Sequence, residues 1–312
     1  MLKYLFRRLV TAIFVFIGAT FLTYGLMMFA PGDPAQEVAY ARYGGVGSAD
    51  AHTIEWIRKN EGLDRPFAVQ YFKWLKRILM FDFGWSLVEG VPVWELIKTR
   101  FHRTLELSVA ALVLAMVISI PLGVLSGIKR GSWIDSAATT ISVIGLSMPK
   151  FWLGLVLIVV FSVKMKWLPS FGCGDWRHIV MPAVTLGTAL TAYTTQILRS
   201  AIIETQHAEY LRSLRAKGIP EKLIIGKHVF KNALIPVVTI VGLELGMILE
   251  GAVITETVFA WPGIGELLVH AIGNRDYPLI QGVVLVIAMV FVVVNSIVDV
   301  IYCYLDPRIR IS

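Results

Sequence analysis

Charge is scarce in these 312 residues: Asp, Glu, Lys and Arg make up 16% of the chain, against about a quarter in ordinary soluble domains. Hydrophobic residues make up 56%, and the mean hydropathy is +0.69. That balance excludes a globule surrounded by water and makes lipid the solvent for most of the chain. Cysteine is scarcer still. Cys173 and Cys303 are the only two, without a redox motif and too few for a metal set. The sequence has no G-x-x-x-x-G-K-S/T phosphate loop, which argues against a P-loop ATPase, so any ATP-driven step needs another polypeptide. It also lacks H-E-x-x-H, and its six histidines share no helical spacing, so a zinc protease finds no ligands. No inverted internal repeat of the kind that marks many secondary carriers is visible, which speaks against a self-sufficient transporter.

What is present are apolar runs. Six of them, near 9–30, 105–128, 134–163, 180–203, 236–258 and 279–303, are long enough to cross about 30 Å of hydrocarbon. The expected fold is an all-α membrane protein with six transmembrane helices. The first run follows Lys3, Arg7 and Arg8 as a signal peptide would, but it is 22 residues long and lacks an A-x-A cleavage site. It therefore reads as a retained span. Three cations precede Val10, two sit at Lys129 and Arg130, seven lie from Arg199 to Lys231, and Arg308 and Arg310 close the chain. The short segments of the other side hold only Lys164, Lys166, Arg177 and Arg275. Positive charge gathers inside, so the topology is N-in, C-in. Cys173 and Cys303 then lie on opposite sides and cannot pair.

The whole of 1–312 forms one transmembrane domain, with an extracytoplasmic region at 31–104 and a cytoplasmic segment at 204–235. In the outer region, YARYGGVGSAD reads as a turn-rich loop, and the stretch after it as two short helices separated by Pro66. Such a region is either a packed cap or a docking surface for an outer partner. In the inner segment, EYLRSLRAKGIPEKLIIGKHVFKNALIP interrupts two apolar runs with basic residues. Any cytoplasmic loop is basic, so charge alone decides nothing. The pattern goes further: the fourth span continues to Lys217, Gly218 permits a break, and Pro220 opens a new helix ending near Asn232. A short helix held crosswise between two spans is a lever.

The stretch Tyr210 to Gly218, followed by Lys231-Asn232-Ala233-Leu234-Ile235-Pro236, resembles the EAA-type coupling motif of ABC importer permeases, in the form used by the dipeptide, oligopeptide and nickel uptake family. Further matches run the length of the chain: Leu2 to Arg8, Pro31-Gly32-Asp33-Pro34, Ser147-Met148-Pro149, Trp167-Leu168-Pro169, Trp261 to Gly265, Arg275-Asp276-Tyr277-Pro278 and Asp306 to Arg310. Two residues depart from the motif: Leu214, where the family has a small alanine, and Ser213, where threonine is common. The resemblance implies a type I ABC importer permease in the cytoplasmic (inner) membrane of a bacterium or archaeon. It has no catalytic residues of its own. Arg212, Ser213, Leu214, Arg215, Ala216, Lys217, Gly218, Ile219 and Pro220 would dock on an ATP-binding subunit. The implied partners are two such subunits, which carry ATP and Mg, a second homologous permease and an extracytoplasmic solute-binding protein. No cofactor is expected on this chain.

Ionisable groups inside spans are functional candidates because burying a charge in lipid costs at least a few kcal/mol. Lys150 lies in the third span, Glu244 and Glu250 lie in the fifth, and Glu106 opens the second; Glu256 is placed at the outer boundary. Six positions set Glu244 and Glu250 240° apart around a helix, so they share no narrow face. One of them either pairs with Lys150 to hold helices together or stands beside the substrate. A carboxylate and a lysine suit the two ends of a peptide, whereas bare Ni²⁺ would be repelled by Lys150. Peptide uptake is the expected function, with nickel or a metal chelate as the alternative. Thr185, Thr188, Thr191 and Thr195 form a hydroxyl stripe on the fourth span, open to helix packing or pathway lining. Pro149, Gly242, Gly246 and Gly251 are sites for bending.

Overall fold

A computed structural model of the chain describes residues 2–29, 32–43 and 49–305. Pro31, positions 44–48 of the expected turn-rich loop and the closing Asp306-to-Arg310 motif lie outside the described residues. So do the side chains of Gly246's neighbour Leu245, of Glu250 and of Cys303. Hydrocarbon offers no water to satisfy backbone N–H and C=O groups, so a spanning chain must satisfy them within helices. In chain order these are α1 (Leu2–Phe29), α2 (Pro34–Tyr43), α3 (Ala51–Glu61), α4 (Phe67–Leu79), α5 (Val93–Ile128), α6 (Trp133–Ser147) and α7 (Lys150–Leu157). A π-helical stretch, Ile158–Lys164, prolongs α7. Then come α8 (Arg177–Gln206), α9 (Glu209–Ala216), α10 (Glu221–Leu223), a second π-helical stretch (Ile224–Val229), α11 (Phe230–Phe259), α12 (Ile264–Gly273) and α13 (Tyr277–Leu305).

Among the described residues, four helices are long and apolar enough to cross a membrane, or up to six when each bent pair counts as one span. The helix α8 is thirty residues long yet does not meet that apolar criterion. Thirteen of its residues are buried by protein, Thr185, Thr194 and Thr195 among them.

The chain divides into two compact units, Met1–Arg103 with Gly263–Val293, and Thr104–Pro262 with Val294–Ser312. In the first unit the outer region is more helical than expected. Asp50 caps α3 by accepting from the Thr53 N–H, and Gly62 ends the helix in the left-handed region. Pro66 separates α3 from α4, as the sequence implies. Aromatic side chains Phe67 and Tyr71 of α4 lie edge-on to Phe21 and Tyr24 of α1. A polar pair fixes their register: the Tyr24 hydroxyl donates to Gln70 Oε1 at 3.2 Å. Val93 and Ile97 at the start of α5 form a core with Ile264, Leu267 and Ala271 of α12 and Leu279 and Val283 of α13. Asp276 is 1% exposed and accepts from the Ser86 hydroxyl, from Leu87 N and Val88 N, and from Leu279 N in the first turn of α13. One carboxylate thus caps a helix and holds a loop, which gives the Arg275-Asp276-Tyr277-Pro278 motif a structural reason.

In the second unit, α8 packs between α5 and α11. Ala111, Ala115, Ser119, Gly123 and Gly127 recur every four residues on α5 and are all buried. A Cβ at Gly187 of α8 would come within 2.8 Å of the Ala111 carbonyl oxygen, and a Cβ at Gly123 within 2.9 Å of Leu198. These helices touch backbone to backbone, as small residues at four-residue spacing allow. The opposite face of α5, with Leu105, Val109, Val113, Val117 and Leu125, is exposed and apolar. The third span is broken at Met148-Pro149, where α6 and α7 meet at 107°. Pro149 has no N–H to continue the ladder, so the chain turns there. Other boundaries also differ from the sequence reading. The helix α5 begins at Val93, three turns before the apolar run, and α12 occupies what reads as an outer loop.

Gly187→Ala should therefore destabilise the second unit by about 1–3 kcal/mol, because the atom in the way is a backbone oxygen that cannot move aside. Gly18→Ala on α1, where a Cβ meets nothing within 4 Å, is the control. Melting in detergent micelles should show a clear drop for the first and none for the second.

Candidate functional site

At the inner end of α8 the chain turns at His207 and enters α9, an eight-residue helix with one apolar side. Leu211 is fully buried and joins Ile224, Val229, Ala233 and Val237 from the following helix against Leu198, Ala201 and Ile202 of α8. Leu214 and Ile219 pack on the same cluster. The larger side chain at Leu214 therefore has a local role: one turn after Leu211, it extends the apolar anchor. Gly218 has φ +75, and a Cβ there would meet nothing within 4 Å. Glycine is required by the left-handed backbone and not by crowding. The Gly218 N–H donates to the Arg215 carbonyl at 2.9 Å and the Ile219 N–H to that of Leu214 at 3.3 Å, closing α9.

Pro220 caps the next helix, as the sequence implies, but that helix does not end near Asn232. It passes through the π-helical stretch Ile224–Val229 into α11 and runs on to Phe259. The break at Gly218 is thus joined to the membrane by continuous helix. Arg212, Ser213, Arg215, Ala216, Lys217, Gly218 and Pro220 are all exposed, so α9 is anchored by leucine and presents basic and small residues outward. Arg215 donates to both carboxylate oxygens of Glu221 across the break, at 2.8 and 3.2 Å. Asn232 donates to the Tyr210 hydroxyl at 2.8 Å.

Inside the bundle, four of the threonines of α8 turn their hydroxyls onto their own helix. Thr185, Thr188, Thr191 and Thr195 each donate to the carbonyl four residues earlier. Thr185 and Thr195 are buried, while Thr188 and Thr191 are half-buried, and a Cβ at Gly145 of α6 would touch Thr188 Cγ2 at 3.1 Å. Lys150, first residue of α7, lays its ammonium on Gly251 of α11. Glu244 is half-buried on α11, and Lys150 is the cation whose charge acts on it. The side chain of Glu250 lies outside the described residues. Glu106 is exposed.

Two features escape a reading by hydropathy. Glu256, placed by the sequence at the outer boundary, is fully buried by protein and accepts from the Thr104 hydroxyl at 2.6 Å. Asp135, 4% exposed near the inner end of α6, takes two hydrogen bonds from Arg199 of α8 and one from the Gly131 N–H. The sequence carries a faint signal for this pair, since Ser132 and Asp135 form a helix start and Arg199 is the last cation of an apolar run. In the first unit a cavity of about 760 Å³ opens on the outer region, its lining including Tyr24, Gln70, Lys73, Trp74, Ser86 and Tyr277.

The Arg215 guanidinium beside Glu221 holds that carboxyl below the usual glutamate range, and the Arg215 pKa is raised in return. A depressed carboxylate pKa means the pair is formed above the ordinary glutamate value and is lost only as pH falls through the lowered one. A ¹³C NMR titration of Glu221 should show a midpoint below that of a model glutamate and no transition between pH 6 and 8. A midpoint at or above the ordinary value would mean the bridge is absent in solution.

Residues 119–311 match the family described as binding-protein-dependent transport system inner membrane component, and residues 1–108 match its N-terminal region. The glutathione transport system permease proteins GsiC of Salmonella paratyphi A and Escherichia coli K12 are each 38% identical over 310 residues, covering 99% of both chains. Among solved structures, the inward-facing MetNI methionine ABC transporter aligns with a TM-score of 0.55 at 23% identity, over 68% of this chain and 97% of the other. An amino acid ABC transporter solved with histidines aligns at 0.53 and 14%, over 66% and 92%.

Proposed function

From the premise that this chain belongs to the binding-protein-dependent inner membrane components, the permeases of ABC importers, we propose that it carries peptides inward when separate ATPase subunits close. The observation that carries the mechanical part is the exposed segment 212–220. It is anchored by Leu211 and Leu214 to α8 and continuous through Pro220 with α11. A partner that grips the basic outer side of α9 moves two membrane helices at once. Arg212 and Lys217 are free to meet carboxylates or helix C-termini on such a partner, while Arg215 first has to give up Glu221. This chain makes no covalent chemistry in this reading; ATP and Mg stay with the partner.

The substrate class rests on likeness. Relatives named for glutathione, a tripeptide, share 38% identity along nearly the whole chain. A binding protein would deliver the cargo from outside, where the helices α2 to α4 and the cavity beside them offer a built surface instead of a loose loop. A second, homologous permease would complete the pathway.

Affinity purification of the chain from its native membrane in mild detergent should bring down an ATPase, a second permease and an ATP hydrolysis rate that rises with a peptide-loaded binding protein. A complex stimulated only by nickel or a nickel chelate would replace the peptide reading. A chain that transports alone would sink the importer reading altogether. Within the complex, Gly218→Val should leave membrane insertion and yield unchanged but uncouple hydrolysis from uptake, because a β-branched residue resists the left-handed conformation by about 1–2 kcal/mol. Gly218→Asn, which tolerates that conformation, should retain more uptake. Equal coupling in both would show that the break transmits nothing.

A further inference from the structure

Lys150 is where the geometry departs from what packing requires. A Cβ at Gly251 would collide with the Lys150 ammonium and press on Leu186 Cδ1 at 3.2 Å, so the absence of a side chain at Gly251 leaves the cation its place between α7, α8 and α11. Lys150 is half-buried and follows directly on the 107° break of the third span. No ion pair joins it to Glu244 among the described residues, which do not include the neighbouring Glu250 side chain. A cation inside a membrane bundle is costly unless an anion, water or a ligand meets it.

The positions on α11 explain why the two charges do not meet. Gly251 and Glu244 are seven residues apart, 700° around the helix, so they share one face. They are separated along it by about 10 Å, at 1.5 Å per residue. Lys150 marks the upper point of that face and Glu244 the lower one. Three peptide residues span at most about 10 to 11 Å when extended. The axial spacing of the two positions therefore matches the length of a short extended peptide, with charges opposite to its own at the two ends.

Building on the peptide-importer reading, we propose that Lys150 and Glu244 form a substrate-reading pair in the pathway, Lys150 taking the carboxylate of a short peptide and Glu244 its amino group. On the N-in topology α11 runs from inside to outside, so the peptide lies with its amino end toward the cytoplasm. Gly251 is a positioning residue: it makes room for the ammonium that does the reading.

The test uses the purified complex with its ATPases and second permease, in proteoliposomes, with the same binding protein throughout so that a changed ratio belongs to the permease. The probes are Ala-Ala-Ala, its C-terminal amide and its N-acetyl form. The wild type should import Ala-Ala-Ala in preference to both. Lys150→Met should lower the preference over the amide about tenfold or more, the scale expected for removing one partner of a desolvated charge pair. Its preference over the N-acetyl form should stay. Glu244→Gln should do the reverse. Gly251→Ala displaces the flexible end of Lys150 and asks Leu186 Cδ1 to give by a few tenths of an ångström, so it should weaken the carboxylate preference without loss of assembly.

Unchanged preferences in all three variants would overturn the inference while leaving the peptide-importer reading intact. A uniform loss of uptake across the probes would also overturn it, by making the pair a structural tie. A wild-type complex that couples ATP to import of something other than these peptides would overturn both.

Discussion

Lipid tails are as apolar as leucine, so burying apolar surface supplies little reason for two membrane helices to prefer each other over the bilayer. What remains is close contact, and in this protein it is concentrated where α8 meets α5. Gly187 lies against the Ala111 carbonyl and Gly123 and Gly127 lie under Leu198 and Ile202, so dispersion acts over a continuous backbone surface. Several other features of the second unit adjoin that contact. The threonines of α8 are sheltered by it, the Asp135–Arg199 pair tethers α6 to its inner end, and α9 is anchored on the same helix one turn beyond. A protein that must change shape in a fluid solvent has here a part that resists change.

Against that fixed part, the mobile possibilities are confined to breaks. Pro149 interrupts the third span without a donor to bridge the gap, Gly218 reverses the chain between α9 and α10, and a π-helical stretch leads into α11. Two of these breaks sit next to residues given a role in the proposals above: Lys150 after Pro149, and the exposed Arg215 and Lys217 before Gly218. Helix interiors keep distances constant, and interruptions are where a distance can be altered, so the placement of function beside them follows from mechanics.

Much of this was legible in the sequence because a hydrophobic window reports which surface faces lipid. The six runs correspond to helices, Pro66 and Pro149 stand at breaks, and Gly218 takes the left-handed conformation expected of it. The same window is blind to surface covered by protein. It does not report that Glu256, near Trp261 and Pro262, is enclosed by Thr104 and the bundle. It ends the helix opened by Pro220 near Asn232 because polar residues interrupt the run, although one side of that helix is packed on Leu198 and Ile202. And it misses α12, whose ten residues are too few to register as a span but enough to bury Ile264 and Leu267 against α13. The small-residue ridge of α5 was present in the letters as five residues at four-residue spacing, yet it yields no hydropathy signal because glycine and alanine look neutral.

The opposite signs of Lys150 and Glu244 have an electrical consequence. A membrane potential does work only on net charge, about 2.3 kcal/mol per elementary charge for each 100 mV. On the proposed assignment, the Lys150 ammonium and the Glu244 carboxylate sum to zero, and the zwitterionic peptide proposed as cargo also carries no net charge. Passage of such a cargo would move no net charge, so the voltage across the bilayer would neither help nor hinder it.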